Sequence, residues 1–149
     1  MAYENTEVAV SKSQDGIRKL IYAHQGTGLM LLSQPPREGF EAMVKISDQD
    51  YHIRVMATAK PKTKDRSGWT LRGAKKAGAI EQENRRVWRV LYWHLKAMFE
   101  ASDSGVIDVR DVIMPYVVLK DGMTLADHIK PQMSQLMNLD PARLLSAGV

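Results

Sequence analysis

The 149-residue chain has no cysteine, and it has no apolar run long enough to cross a membrane. Without cysteine it has no disulfide, no thiolate nucleophile and no Cys-ligated zinc or iron–sulfur site. Its longest apolar run, residues 29–32, is far shorter than the roughly 18 residues that a membrane-spanning helix needs. The first residues are polar and acidic, which is unlike a secretory signal peptide. We therefore expect a cytoplasmic protein with no membrane partner.

The sequence also lacks the motifs of common catalytic and cofactor sites. It has no phosphate-binding loop of the G-x-x-x-x-G-K type, and its four histidines are scattered without metal-ligand spacing. Four residues near the predicted strands are of the types that a metal-dependent nuclease uses, although they match no nuclease spacing: Glu41, Lys45, Asp48 and Asp50. We therefore predict a protein that is not an enzyme and that uses no cofactor and no metal.

Positive charge is concentrated in one part of the chain. The sequence holds 21 Lys and Arg against 17 Asp and Glu, for a net charge of +4. Residues 60–76, here called the basic segment, carry +6, whereas residues 1–59 carry −1, 77–100 carry +1 and 101–149 carry −2. The protein is near neutral apart from this one segment, which is the first candidate for contact with a polyanion.

Hydrophobic periodicity predicts a helix and then three strands in the first half of the chain. Residues 12–25 have apolar side chains at helical spacing, and Ser11 with Gln14 forms a capping-box pattern before them. Apolar runs and strict alternation then predict strands at residues 28–33, 40–46 and 51–57. A four-residue loop at 47–50 would join the last two as a hairpin. One face of this sheet is apolar, so we expect helices to cover it.

Residues 79–103 form the strongest helix prediction in the chain, and Gly105 follows as a stop signal. Residues 58–78 have little apolar periodicity and several glycines, so we expect a mobile loop there. The apolar stripe of the long helix consists of Ile80, Val87, Leu91, Leu95 and Met98.

The C-terminal part is predicted to form small helical pieces separated by turns and prolines. The residues that mark their boundaries are Asp108, Pro115, Asp121-Gly122, Thr124 with Asp127, Pro131, and Asp140-Pro141.

Together these elements predict an α+β fold. A three- to four-stranded antiparallel sheet would be packed by a short N-terminal helix and a long central helix, with a small helical C-terminal tail. We divide the chain into a core domain at residues 1–105, with the basic loop 58–78, and a helical extension at 106–149 that packs on the core or is exchanged between subunits. Met43 and Met56 on the outward sheet face make a homo-oligomer a further option.

The basic segment is a candidate nucleic-acid contact because it combines clustered cations with an aromatic residue. Lys and Arg side chains bind backbone phosphates, and an indole ring stacks on a base. The alternative is a solvated loop that only keeps the protein soluble. The residues that we expect to contact nucleic acid here are Lys60, Lys62, Lys64, Arg66, Trp69, Arg72, Lys75 and Lys76.

The long helix offers a second set of cations and rings. Four of these residues, here called the stripe, lie on one face of the helix. Arg86 and Trp93 form a neighbouring row. Guanidinium groups grip phosphate in bidentate fashion, so this stripe and the basic segment would clamp a strand between them. The alternative is a helix with ordinary surface arginines that pair with nearby glutamates. The residues of the stripe are Arg85, Arg89, Tyr92 and Lys96.

Several short motifs in the second half follow the arrangement R-x-W-R-x-L…K-A…E…G…L-x-D-G-x-T. They are Arg86-Val87-Trp88-Arg89-Val90-Leu91, Lys96-Ala97, Glu100, Gly105 and Leu119-Lys120-Asp121-Gly122-Met123-Thr124. In these motifs the chain resembles a group of small phage and prophage proteins, over most of residues 11–127. The resemblance implies a viral or mobile-element origin and a bacterial host cytoplasm. The order of elements is also similar to the core of RecT/Redβ-type single-strand annealing proteins, which bind DNA as oligomers.

The leading hypothesis is a non-enzymatic, phage-type nucleic-acid-binding protein in DNA replication, recombination or single-strand annealing. One alternative is a phage counter-defence protein that sequesters a host protein or a nucleotide signal, because arginines beside aromatic rings also suit a nucleotide. A metal-dependent nuclease is the third hypothesis. The expected partner is nucleic acid, with DNA favoured over RNA.

Overall fold

The computed structural model describes residues 3–46, 48–137, 140 and 142, in which an antiparallel sheet of order β1-β2-β3 packs against two main helices. The elements in chain order are α1 (Val10–Ala23), β1 (Thr27–Gln34), β2 (Arg37–Ile46), β3 (Gln49–Thr58), α2 (Gly73–Asp103), α3 (Val109–Ile113), α4 (Leu125–Ile129) and α5 (Met133–Leu136). Short 3-10 turns, Met114–Tyr116 and Lys130–Gln132, follow α3 and α4. The fold is therefore the α+β arrangement predicted from the sequence, with three strands.

The sheet has one buried face and one outward face. In the central strand β2, Phe40, Ala42 and Val44 point toward the helices and are at most 1% exposed. Ile53 and Val55 of β3 are buried on the same side. The predicted alternation of both strands is confirmed, because a two-residue period places every second side chain on the buried face.

Helices α1 and α2 run parallel to each other over the buried face. Gln82 hydrogen-bonds the carbonyl of Thr6, and Arg89 contacts the hydroxyl of Ser13, both at a separation of 76 residues. Because the difference in residue number is the same at both contacts, the N-terminal segment with α1 and the helix α2 run in the same direction. The buried residues of α2 are Glu83, Val87, Trp88, Leu91, Leu95, Met98 and Phe99.

The predicted start and cap of the first helix were wrong. α1 begins at Val10, and its N-cap Ala9 has no side-chain hydrogen bond. Ser11 lies inside the first turn, so the capping box with Gln14 does not form. Val10 is half-buried against the core, and this packing draws the helix start back by two residues.

The predicted hairpin loop was too long. β2 ends at Ile46, which pairs directly with Gln49, so the connection consists of positions 47 and 48 alone. Asp48 has a φ of 65°, the left-handed conformation that Asp tolerates in tight turns.

The long helix begins six residues earlier than the sequence analysis expected. α2 starts at Gly73, so the loop is shorter than residues 58–78. The alanines and lysines that follow are strong helix formers, and they outweigh a cost of about 1 kcal/mol for Gly78. Ile80 was assigned to the buried stripe but is 41% exposed, and this part of the prediction was also wrong.

The C-terminal segment returns to the free edge of β3. Val117 bridges Ile53, and the Val118 amide donates to the His52 carbonyl at 2.8 Å. Thr124 and Asp127 form the predicted capping box at the start of α4. The 3-10 turn that contains Pro131 interrupts the helix, as predicted from that proline.

Part of the predicted tail cannot be compared with the structure, because Pro141 of the Asp140-Pro141 start lies outside the described residues. Within the described part of the chain, no helix has both the length and the apolar character that crossing a membrane requires.

Candidate nucleic-acid interface

Residues 63–71 of the basic segment fold into a small hairpin, here called the basic hairpin. Lys64 pairs with Thr70, and the Leu71 amide donates to the Thr63 carbonyl at 2.9 Å. Gly68 sits at the turn with a φ of 85°, which a residue with a side chain rarely adopts. The segment that was expected to be a mobile loop therefore contains a hydrogen-bonded turn.

Asp65 organises this turn and is the one acid of the basic segment. Its carboxylate oxygen Oδ1 accepts hydrogen bonds from the Ser67 amide at 2.8 Å and the Trp69 amide at 3.0 Å. Its own amide donates to the Trp69 carbonyl at 2.9 Å. The Asp65 carboxylate therefore binds backbone amides of the turn, and these hydrogen bonds fix the backbone position of Trp69.

The basic hairpin presents an aromatic ring and cations to solvent. Trp69 is 75% exposed, which is unusual for a residue of this size. Lys62 forms an ion pair with Glu4 at 3.3 Å. The side chains of the other cations of the basic segment make no hydrogen bond or ion pair with any described residue: Lys60, Lys64, Arg66, Arg72, Lys75 and Lys76.

The last cations of the basic segment lie at the N-terminus of α2. Arg72 is the N-cap residue, Lys75 and Lys76 follow at the helix start, and the first turn contains no acid. Cations at this end of a helix are opposed by the positive pole of the helix dipole. Three uncompensated cations at this point cost stability in the free protein and would be compensated by a bound anion.

Two arginines of the predicted helix surface are held by acids of the same helix. Arg85 donates to Glu81 at 2.9 Å and to Gln82. Arg86 donates to both carboxylate oxygens of Glu83, which is 9% exposed. Arg86 is therefore paired with Glu83, and among the described residues the cations that contact the Trp93 ring are Arg89 and Lys96.

The remaining part of the helix surface is a stack of cations on rings. The Arg89 guanidinium lies 4.6 Å from the centre of the Tyr92 ring and 5.5 Å from that of Trp93. The Lys96 ammonium lies 4.7 Å from the Trp93 ring and 3.9 Å from Glu100. Trp93 is 38% exposed, so it presents a ring that the stripe did not include.

The two predicted surfaces lie at different positions along α2. Sixteen residues separate Gly73 from Arg89, which corresponds to about 24 Å of helix. The basic hairpin and the N-terminus of α2 form one cationic surface, and the Arg89–Lys96 stack forms a second one further along. A ligand that contacts both must be long enough to span this distance.

The residues considered for a nuclease do not come together as a metal site. The Glu41 carboxylate accepts hydrogen bonds from Arg54 and from His52, the latter at 3.0 Å. Burial raises the pKa of Glu41, but these two hydrogen bonds outweigh it, and the pKa is lowered overall. Across the residues that the structure describes, no three His, Cys, Asp or Glu side chains are grouped for metal binding.

One feature of the outward sheet face was missed by sequence reasoning. Arg37, Arg54 and Met56 line a groove with residues of the segment 115–130. Its walls are more than 55 residues apart in the chain, so no local spacing could indicate it. The outward positions of Arg54 and Met56 in the alternation of β3 were the only available signal.

Comparisons of the chain with protein-family models, with curated proteins and with solved structures found no match.

Proposed function

We propose that this protein binds single-stranded nucleic acid, with the basic hairpin and the N-terminus of α2 as the contact surface. The observation that carries the proposal is the 75% exposure of Trp69 among cations that have no partner in the described residues. An exposed ring on a rigid turn favours stacking on an unpaired base. Surrounding Lys and Arg side chains favour contact with the adjacent phosphates.

In this proposal the protein acts in DNA replication, recombination or annealing without catalysis. Binding through phosphates and ring stacking is independent of sequence, as such roles require. A strand that leaves the basic hairpin along α2 would meet the Arg89–Lys96 stack about 24 Å further on. In this proposal the stack is a second contact for longer strands.

The proposal is tested by fluorescence anisotropy with a labelled single strand of about 20 nucleotides. The triple variant Lys64→Gln/Arg66→Gln/Arg72→Gln removes three cations whose side chains have no partner among the described residues. We expect at least a tenfold loss of affinity and a salt slope that is smaller by about 2, since each phosphate contact contributes about 0.7. The matched control is Lys12→Gln/Lys19→Gln/Lys120→Gln, which removes the same charge from exposed sites elsewhere.

The control variant is expected to keep most of the affinity of the wild-type chain. Equal losses in the two triple variants would show that total charge, and not the basic hairpin, governs binding. Failure of the wild-type chain to bind at about 50 mM salt would end the proposal altogether.

A further inference from the structure

A cavity lies on the outward face of the sheet, opposite α1 and α2. It has a volume of about 570 Å³ and includes Leu32, Arg37, Arg54 and Met56 of the sheet. Met123 and Asp127, from the segment that returns along β3, form the facing wall. A cleft of this size is within the range that accommodates small organic ligands.

Met56 covers the middle of β2 at Gly39 and forms part of the floor of this groove. Arg37 and Glu41 point outward from β2, and the residue between them on the same face is Gly39. A Cβ at Gly39 would lie 2.5 Å from the Met56 sulfur and closer still to the Val55 carbonyl oxygen, so the glycine leaves room for Met56 to lie against the strand. A second cavity of about 170 Å³ shares Arg37, Arg54, Met56 and Asp127 and extends the groove to Lys130.

Arg54 is held in place before any ligand binds. Its Nε donates to Glu41, and its Nη1 donates to the Gly122 carbonyl at 2.8 Å. The second bond ties the turn at Gly122 to the sheet, so the same arginine also positions the facing wall. The guanidinium is therefore preorganised, which reduces the entropy cost of binding.

The other two cations of the groove have no such bonds. Arg37 and Lys130 make no hydrogen bond or ion pair with any residue that the structure describes. The two acids are already engaged, Glu41 by Arg54 and His52, and Asp127 by the Thr124 amide of its capping box. Besides the hydrogen bonds from Thr124, Lys130 and Arg37 also attract the Asp127 carboxylate, which helps to lower its pKa. Three cations nevertheless face two acids in the groove, so it favours an anion.

We propose that this groove binds a nucleoside phosphate. Arg37, Arg54 and Lys130 supply the guanidinium and ammonium groups that bind phosphate oxygens. The thioethers of Met56 and Met123 supply flexible, polarizable surfaces against a flat base. The side-chain carbonyl of Gln34 supplies an acceptor for an amino group of a base edge. This site does not rest on the basic hairpin.

The nucleoside phosphate has two sources, a free nucleotide or one residue of a bound strand. Arg37 pairs with Thr58 across β2 and β3, and Lys60 is two residues beyond Thr58. The groove therefore opens next to the start of the basic segment. A strand held by the basic hairpin is within reach of it, and in that case the groove extends the proposed function.

Isothermal titration calorimetry of the full chain with adenosine 5′-monophosphate tests the site, at about 150 mM salt to screen non-specific attraction. We expect saturable binding, at least tenfold weaker binding of adenosine, and a loss of about tenfold or more in Arg37→Gln. The matched control is Lys45→Gln, an exposed residue on the same strand and the same face outside the groove. The hairpin triple variant is expected to bind the nucleotide like the wild-type chain.

The two sources give different results. Nucleotide binding that Arg37→Gln weakens and Lys45→Gln does not identifies a site for free nucleotides. If the nucleotide does not bind, but Arg37→Gln alone weakens oligonucleotide binding, the site takes a residue of a bound strand. The proposal is overturned if adenosine binds as well as its phosphate, or if Arg37→Gln and Lys45→Gln behave alike with both ligands.

Discussion

Arg86 and Glu83 show why a residue of the right type need not be available for a ligand. The two side chains are 18% and 10% exposed and share a contact of 2.6 Å. Burial raises the pKa of Glu83, but hydrogen bonds from Arg86 and from the Lys60 amide outweigh it and lower the pKa from 4.5. Because Glu83 also accepts from the Lys60 amide, the pair connects the start of the basic segment to α2 and has a structural role.

The substitution Glu83→Gln is expected to lower the free energy of unfolding by about 2 kcal/mol at pH 7. Because the folded-state pKa is below 4.5, this contribution is complete above that pH and is lost as the pH falls through the folded value. Urea unfolding at pH values from 7 to 3 should show the two proteins converging in acid. Glu81→Gln, at a more exposed pair, is the control and should change little. A constant difference at all pH values would contradict this account.

Glu38 is a buried carboxylate with an incomplete set of partners. It is 4% exposed, its Oε1 accepts from the Ser33 hydroxyl at 2.9 Å, and its Oε2 has no hydrogen-bond partner in the part of the chain that the structure describes. We expect Glu38→Met, which keeps the shape without the charge, to raise the free energy of unfolding by about 1 kcal/mol. Chemical denaturation measures this, with Glu38→Gln as the isosteric control. A clear loss of stability in Glu38→Met would contradict this prediction.

At the scale of the element, α2 provides a direct test of helix packing through two glycines. A Cβ at Gly78 would meet no atom within 4 Å, whereas a Cβ at Gly16 of α1 would lie 2.7 Å from the Tyr92 ring. Gly78→Ala should therefore stabilise the protein by about 1 kcal/mol through helix propensity alone. Gly16→Ala should destabilise it by about 1 to 2 kcal/mol, because the ring must move. Thermal unfolding of the two variants checks both signs, and stabilisation by both would show that α1 and α2 do not pack as described.

The elements that could be predicted from the sequence are those with a buried face. Strands β2 and β3 were found because burial of one face imposes a strict period of two. The start of α2 was missed because its first turns are exposed and have no apolar periodicity, so that Gly73 and Gly78 suggested a loop. Intrinsic helix propensity determines whether exposed helical turns form, and hydrophobic periodicity does not detect this propensity.

The candidate sites also differ in how far they could be predicted from the sequence. The cations of the basic segment were identified by composition alone, because they are contiguous in the chain. The use of Asp65 as a turn residue and the loss of Arg86 to Glu83 depend on side-chain geometry that spacing does not determine. The groove between Arg37 and Met123 depends on tertiary contact and has no local signal.

At the scale of the whole molecule, the two proposed binding surfaces lie on different sides of the sheet. The basic hairpin and the N-terminus of α2 lie at one end of the long helix, and the groove lies on the opposite face of the sheet. The start of the basic segment at Lys60 lies beside the groove residue Arg37, because the Ala59 amide donates to the Pro36 carbonyl at 2.7 Å. This junction would let a strand pass from the basic hairpin toward the groove.

The central claim is that Trp69 stacks on a base of a bound strand. It is tested most directly by titrating the intrinsic fluorescence of the wild-type chain and of Trp69→Phe with single-stranded polythymidine. Trp88 is buried and Trp93 lies in the second surface, so the difference between the two titrations reports Trp69. We predict saturable quenching of this difference signal and an affinity roughly tenfold lower in Trp69→Ala. Binding that leaves the difference signal unchanged would contradict the account.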